Sequence, residues 1–418
     1  MYTFYNLIVK LSWFFLKILA FFNAKIKLFV DGRKASFQIL ENHISKKDTI
    51  IWMHVASLGE FEQGLPIIER LRAEYPGHKI LVTFFSPSGY EVKKKSPAAD
   101  TVCYLPMDTR KSVSRFLDIV RPQLAIFVKY EIWPNYLREL DKRNVPTILI
   151  SAIFKKEQVY FKWYGGFMRK VLERFDHYFV QDEASRELLA SLHIKNSSVS
   201  GDTRLDRVSE ILDRNNQLDF MAAFKKDRLC LVAGSTWAED ESILIDHINH
   251  APKNLKYILA PHTIKKDKIL GLAGALTKKT LLYSNIGEQA LGDFDVLIVD
   301  AIGLLTKIYS YADIAYVGGG FATGLHNTLE PAVFGVPVII GPHYEGFKEA
   351  EDLVAQKGIL TVKDAWSFGE LLKKLLDNPE LRKKTGAINA AYIAKNKGAS
   401  TQIMEYIRTL LAPTSAKY

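Results

Sequence analysis

The sequence predicts an α/β protein: two doubly wound, Rossmann-like domains in tandem, facing a cleft, behind an amphipathic membrane-associated helix. Three observations predict it. From Thr49 onward, short apolar strand patterns alternate with helical patterns. A polar stretch, "RVSEILDRNNQLDFMAAFKKDR", carries no strand pattern and divides that alternation into two series. The first thirty residues are apolar, aromatic and striped with lysine. Alternation of this kind builds parallel sheets with helices on both faces, and ligands are expected at the carboxyl ends of the strands.

Residues 1–30, "MYTFYNLIVKLSWFFLKILAFFNAKIKLFV", read as the membrane-associated helix. Lys10 and Lys17 break the apolar run, so a clean span is not expected. No small-residue cleavage pattern follows, so a secretory signal is not expected. Asn6, Lys10 and Lys17 fall on one helical stripe, with Lys25 near its edge. The remaining surface is mostly Leu, Ile, Phe, Trp and Tyr, which suits a helix lying in a bilayer interface. The lysines favour an anionic cytoplasmic leaflet. A core helix with one wet face would show the same pattern.

The first domain is placed at residues 31–205. Its strand patterns are "TIIWMHVA", "KILVTFF", "TVCYL", "QLAIFV", "PTILIS" and "HYFVQD", each short and rich in β-branched or aromatic residues. Residues 206–228 are assigned to the connection. The second domain, residues 229–400, has "LCLVAG", "LKYILAP", "DVLIVD", "DIAYVGG" and "VPVIIG". Residues 401–418 read as a C-terminal helix. The chain has 418 residues, 48% hydrophobic and 24% charged, with a formal net charge of +10. That excess suits anionic partners such as membrane lipid, nucleic acid or phosphorylated substrates. The two cysteines, Cys103 and Cys230, sit in apolar runs and read as buried thiols, which excludes a disulfide framework. No H-E-x-x-H, D-x-D or Cys/His spacing appears, so no metal site is expected.

The strand ends carry the chemistry. "HVASLGE" places Glu60 after the first strand. Ser57-x-x-Glu60 fits a capping box, but a carboxylate facing the cleft could also take a proton from a hydroxyl nucleophile. "KYEIWPN" brings Lys129 and Glu131 to the same edge, with Trp133 read as core. Ser86 and Ser88 of "SPSG" could hold an anionic acceptor or cap the next helix. In the second domain, Ser235 and Thr236 offer donors to a phosphate or serve as N-caps, and His262 stands at the next strand end. "GGGFATGLHNTLEPAVFGVPVIIGPH" follows the strand "DIAYV" and turns on Gly318 to Gly320. Bare glycine backbone beside a helix N-terminus can seat a phosphate. Glu330 would then point at ribose hydroxyls, while Asn327-x-x-Glu330 also fits a capping box.

In this order the motifs resemble the 3-deoxy-D-manno-octulosonic acid (Kdo) transferases of lipopolysaccharide synthesis, which are GT-B glycosyltransferases. The resemblance rests on "HVASLGE", "EIWPN", "GST" and "YADIAYVGGGF…HNTLEPAVFGVPVIIGPH", and runs from about residue 30 to the end. It implies a GT-B fold, with acceptor bound by the first domain and CMP-sugar by the second. The implied general base is Glu60, and Glu131, Ser57, Ser86, Ser88 and Lys129 are implied on the acceptor side. Ser235, Thr236, His262, Gly319, Gly320, His326, Asn327 and Glu330 would hold CMP-Kdo. The implied reaction is metal-independent, inverting transfer of Kdo to a lipid A precursor (lipid IVA), on the cytoplasmic face of a Gram-negative inner membrane. No cofactor and no nucleic-acid partner are expected. The chain departs from the family at Pro261-His262, where an Arg is often found, leaving His262 or Lys265 to replace it. Further departures are Leu325, Gly346 and Leu304. The alternative reading is another GT-B enzyme using a UDP-sugar in cell-envelope synthesis. A non-catalytic membrane-bound protein is disfavoured by the presence of both Glu60 and Glu131.

Overall fold

Each strand pattern named above forms a strand in the structure, a computed structural model that describes residues 1–251, 255–322 and 324–412. The first sheet contains β1 (Thr49–Val55), β2 (His78–Phe84), β3 (Thr101–Tyr104), β4 (Pro122–Val128), β5 (Thr147–Ala152), β6 (His177–Val180) and β7 (Ser197–Val199). The second contains β8 (Leu229–Thr236), β9 (Leu255–Pro261), β10 (Thr280–Leu282), β11 (Val296–Ile298), β12 (Ile314–Val317), β13 (Val338–Ile340) and β14 (Ile359–Thr361). Their orders are β3-β2-β1-β4-β5-β6-β7 and β10-β11-β9-β8-β12-β13-β14. Pairing is parallel, with β1 beside β4 and β8 beside β12. The sequence patterns miss β7, β10 and β14. Each has three residues at a sheet edge, too short to carry a periodic signal.

Strand order reverses between β1 and β4 in one sheet, and between β8 and β12 in the other. At such a switch point the connecting helices leave on opposite faces, and a crevice opens beyond the carboxyl ends. Alternate residues of β1 serve the two faces. Ile50 and Trp52 pack with Phe116 and Tyr136, while Ile51, Met53 and Val55 pack with Phe61, Ile68 and Met404.

The chain divides into two compact units, Met1–Asp206 with Lys397–Tyr418, and Arg207–Asn396. The predicted boundaries at 205, 229 and 400 therefore shift. The stretch assigned to a connection counts with the second unit, where Met221 and Phe224 are buried. The predicted helix at 401–418 is Ala399–Leu411 and belongs to the first unit, burying Ile403, Met404 and Ile407 there. Residues 413–418 lie outside the described residues.

The predicted helix at 1–30 is two helices, α1 (Tyr2–Leu19) and α2 (Ala24–His43). α1 ends at its C-cap Ala20, and Asn23 starts α2, since its side chain accepts from the main-chain N–H groups of Lys25 and Ile26 as an N-cap. α2 buries Val30, Arg33, Ser36 and Leu40. α1 buries no residue fully, and Phe4, Leu7, Ile8, Leu11, Phe14, Phe15, Ile18 and Leu19 are exposed. Asn6, predicted to share the wet stripe, instead bonds to Asn135. Among the described residues no helix is long and apolar enough to cross a membrane.

Candidate functional site

α3 (Leu58–Glu74) follows β1 and places Glu60 in its first turn, buried at 7% exposure. Only half of the predicted capping box forms, the half in which the Glu60 carboxylate bonds the main-chain N–H of Ser57. Ser57 occupies the N-cap position without a side-chain bond, and Glu60 Oε2 accepts from the main-chain N–H of Ala56. Burial, then the charge of Glu131, pushes the Glu60 carboxyl up to about 7, against the N–H groups of Ala56 and Ser57 and the charge of Lys129. A carboxyl poised there is half ionised near neutral pH, as a general base requires.

Glu131 lies in the turn between β4 and α6 (Pro134–Lys142). Its Oε2 lies 2.8 Å from His54 Nε2 and accepts from Trp133 Nε1 at 2.9 Å. Trp133 thus carries a polar duty beyond the core role expected of it. His54 is fully buried on β1, and its Nδ1 lies 2.9 Å from Thr83 Oγ1. Nδ1 also lies 3.0 Å from Thr83 O, Thr83 Oγ1 accepts from Trp52 Nε1, and Trp133 Nε1 lies 3.1 Å from His54 Nε2, so His54, Thr83, Trp133 and Glu131 form one buried polar network. Sequence reasoning gave His54 no role. A polar residue within a buried strand, facing a neighbouring strand end, was the available signal. Lys129 opens the turn at φ 64°, with its ammonium 5.0 Å from the Tyr130 ring.

Ser86 ends β2 and caps α4 (Pro87–Lys93) by accepting from Ser88 N at 3.3 Å. The two hydroxyls bond each other at 2.8 Å, and Ser86 N donates to Ala56 O. The capping reading is therefore realised in the structure, beside the loop that carries Glu60.

In the second unit, β8 ends at Ser235, with φ 55°, and Thr236. Neither is the N-cap expected of it: the cap of the helix Ala238–His250 is Trp237. Thr236 Oγ1 donates to Glu241 at 3.1 Å. Asp240, fully buried, accepts from Trp237 N at 2.9 Å, from Gly319 N at 2.9 Å and from Tyr316 OH at 2.6 Å. The N–H of Gly319, expected to face a phosphate, is thus bound to Asp240. The sequence reading missed Asp240, although an acidic residue three positions into a helix after a strand is a capping signal. Gly319 has φ 93°, a conformation that favours glycine, and a Cβ on Gly320 would come within 2.8 Å of Gly341 N.

Trp237, His262 and His326 stack. Ring centroids are 4.5 Å apart for Trp237 and His262 and 4.6 Å for His262 and His326, and Trp237 Nε1 donates to His326 Nε2 at 2.8 Å. Burial holds both imidazoles below the usual histidine range, and His262 adds to the effect on His326. As a replacement for an arginine, His262 therefore offers an N–H and little charge. Lys265 is the exposed N-cap residue of the helix Lys266–Gly274.

The helix after the glycine turn is one turn long, Leu329–Ala332, which makes the expected helical anion seat small. Asn327 Oδ1 accepts from Leu329 N at 3.1 Å. The reciprocal half of the predicted capping box is absent. Glu330 accepts instead from Thr306 Oγ1 at 2.7 Å and from Asn327 Nδ2 at 3.0 Å. Two of the roughly four acceptor positions of a carboxylate are thus used.

A sequence model of the family described as 3-deoxy-D-manno-octulosonic-acid transferase (kdotransferase) matches residues 32–207. The chain is 30% identical over 358 residues to a 3-deoxy-D-manno-octulosonic acid transferase of Chlamydophila psittaci, covering 83% of this chain and 80% of that protein. It is 29% identical to the Haemophilus influenzae protein of that name, over 86% of this chain and 87% of the relative. Among solved structures, UDP-GlcNAc 2-epimerase from Neisseria meningitidis bound to UDP-GlcNAc is similar with a TM-score of 0.61 and 14% identity, over 86% of this chain and all of that chain.

Proposed function

We propose, from the premise that this chain belongs to the 3-deoxy-D-manno-octulosonic acid transferase family, that it moves Kdo from CMP-Kdo to lipid IVA with Glu60 as the base. The chain is a Kdo transferase of lipopolysaccharide synthesis with the GT-B fold. Donor, acceptor, stereochemistry and residue roles are our reading. It is carried by the buried Glu60 carboxyl, raised to about 7, at the β1/β4 switch point beside Glu131.

The acceptor hydroxyl attacks the anomeric carbon of Kdo, and its proton passes to the Glu60 carboxylate. The bond from that carbon to the CMP phosphate oxygen breaks, and CMP leaves with the electron pair. A single displacement inverts the configuration without a covalent enzyme intermediate. Glu131, held by His54 and Trp133, raises the affinity of Glu60 for the arriving proton and presents an acceptor to the sugar hydroxyls. In the second unit, Ser235 and His262 take the phosphate, the glycine turn lets it approach the backbone, and Glu330 reads the ribose. The unused acceptor positions of Glu330 support that assignment. The apolar exposed face of α1 lies on a membrane surface, which we place at the cytoplasmic face of the inner membrane of a Gram-negative bacterium.

The test is a transfer assay with CMP-Kdo and lipid IVA, with UDP-GlcNAc as the competing donor and mass spectrometry of the product. A Kdo-lipid product is expected. Transfer from the UDP-sugar, with none from CMP-Kdo, would overturn the reading.

A further inference from the structure

Trp133 occupies the N-cap position of α6 but makes no side-chain cap, because its indole can only donate, and that N–H is bonded to Glu131 and His54. The first turn of α6 is capped from outside the helix. Asp108, in the loop after β3 and 1% exposed, accepts from Asn135 N and Tyr136 N at 3.1 Å each. Its main-chain oxygen accepts from Asn135 Nδ2 at 2.6 Å, and Tyr136 OH donates to Pro106 O. The remaining donor to Asp108 Oδ2 is Tyr5 OH, at 2.7 Å, from α1. The next residue of α1, Asn6, exchanges amide bonds with Asn135 at 3.2 and 3.3 Å. Asn6 Oδ1 also accepts from Arg110 N, at the start of α5 (Arg110–Val120).

The surface helix α1 is therefore bonded to the residues that fix the start of α6, four positions beyond Glu131. The turn carrying Glu131 has two ends. β4 holds one within the sheet, and the first turn of α6 holds the other. We infer that Tyr5, Asn6 and Asp108 are positioning residues of the transfer site, so that α1 holds the Glu131 turn in place as well as carrying an apolar face. The inference rests on the reading of Glu131 as an acceptor-side group. It requires no change in the residues that touch substrate, because an error of about 1 Å in a catalytic group can cost on the order of a hundredfold in rate.

The test uses the full chain with Tyr5→Phe and Asp108→Asn, and lipid IVA presented in detergent micelles so that recruitment to a bilayer does not limit the rate. For Tyr5→Phe, kcat per folded molecule should fall about tenfold, by a fraction of that positional penalty. KM for CMP-Kdo should stay unchanged, and sedimentation with anionic vesicles should be retained. Amide hydrogen exchange at residues 135–137 should quicken. Asp108→Asn keeps one acceptor oxygen and should show the same pattern. A role in stability alone would lower the melting temperature and leave kcat per folded molecule at the wild-type value, which would overturn the inference. Unchanged exchange at 135–137 in Tyr5→Phe would overturn it too. If Asp108→Asn fails to fold, Tyr5→Phe decides, since it removes a single hydroxyl. The exchange measurement needs neither donor nor acceptor. An inactive wild type would therefore sink the proposed reaction, while the coupling is still judged by exchange.

Discussion

Glu60 is held where ionisation is costly, and the cost is measurable. Its folded-state pKa, about 7, lies above the unfolded value of 4.5. The native state thus binds that proton more tightly than the unfolded chain, and the associated stability is present below about 4.5 and lost as pH rises through 7. The gap corresponds to about 3 kcal/mol. Glu60→Gln should therefore melt above wild type near pH 8 and together with it near pH 4, while turnover falls by roughly 10²-fold or more. Melting curves at the two pH values and the transfer assay check this. A lower melting point with full activity would reduce Glu60 to a helix-terminal residue. Glu330 poses the complementary question. With Thr306 and Asn327 already bound to it, Glu330→Ala should weaken CMP binding by about 10- to 150-fold, the scale of a lost charge-assisted hydrogen bond. Titration of CMP against its deoxyribose analogue tests the role. If wild type and mutant discriminate equally, Glu330 does not read the sugar.

At the scale of elements, α1 keeps Lys10 and Lys17 exposed as its stripe predicts, and only Asn6 leaves that stripe for a protein partner. Lysine spacing defines a stripe, but only a partner decides which stripe faces protein. Asn6 and Tyr5 find Asn135 and Asp108, Tyr2 packs on Phe167 and Trp13 on Phe29, while Phe4, Leu7, Leu11, Phe14 and Phe15 are left exposed. Beside it runs a groove of about 700 Å³ whose lining mixes Phe4 and Leu7 with Thr3, Asn6, Thr109 and the cationic Lys10, Arg110 and Lys111. Phe15→Glu removes an exposed apolar side chain and should leave the fold intact. It should lower the vesicle-bound fraction by roughly tenfold or more, from the loss of about 1.5–3 kcal/mol of apolar burial. Cosedimentation with anionic vesicles measures it, and undiminished binding would move the anchor elsewhere.

Across the whole molecule, the chain leaves the first unit at Asp206 and returns at Lys397. Asp206 itself secures the return, accepting from Gly398 N at 2.5 Å and Ser400 N at 2.7 Å. Ile403, Met404 and Ile407 then complete the layer over β1 and β4, and Arg408 pairs with Glu74. Met404→Ala should cost the first unit about 2–5 kcal/mol. In a hydrogen-exchange experiment, amides of β1 and β4 should lose protection while those of β8 and β12 keep theirs. Equal loss in both sheets would show that the last helix serves the molecule in some other way.

The alternation of buried strands with helices determined the fold class, because a central parallel strand must be apolar on both faces and so announces itself locally. The carboxylates at strand ends were legible for the same reason: "HVASLGE" and "KYEIWPN" each follow such a run. Three-residue edge strands were not legible, since so short a run cannot show a sustained alternation. Tertiary structure alone decided the partners. The capping box read from spacing at Glu60 formed in part, with Ala56 N–H as a further partner, and Glu330 turned to Thr306 and Asn327. Asp240 took Gly319, Asp108 took Tyr5, and His54 took Glu131, across separations of 77 to 103 residues. A hydrogen bond is satisfied by whichever group the fold brings within about 3 Å, and sequence spacing constrains that only within a turn or a helix.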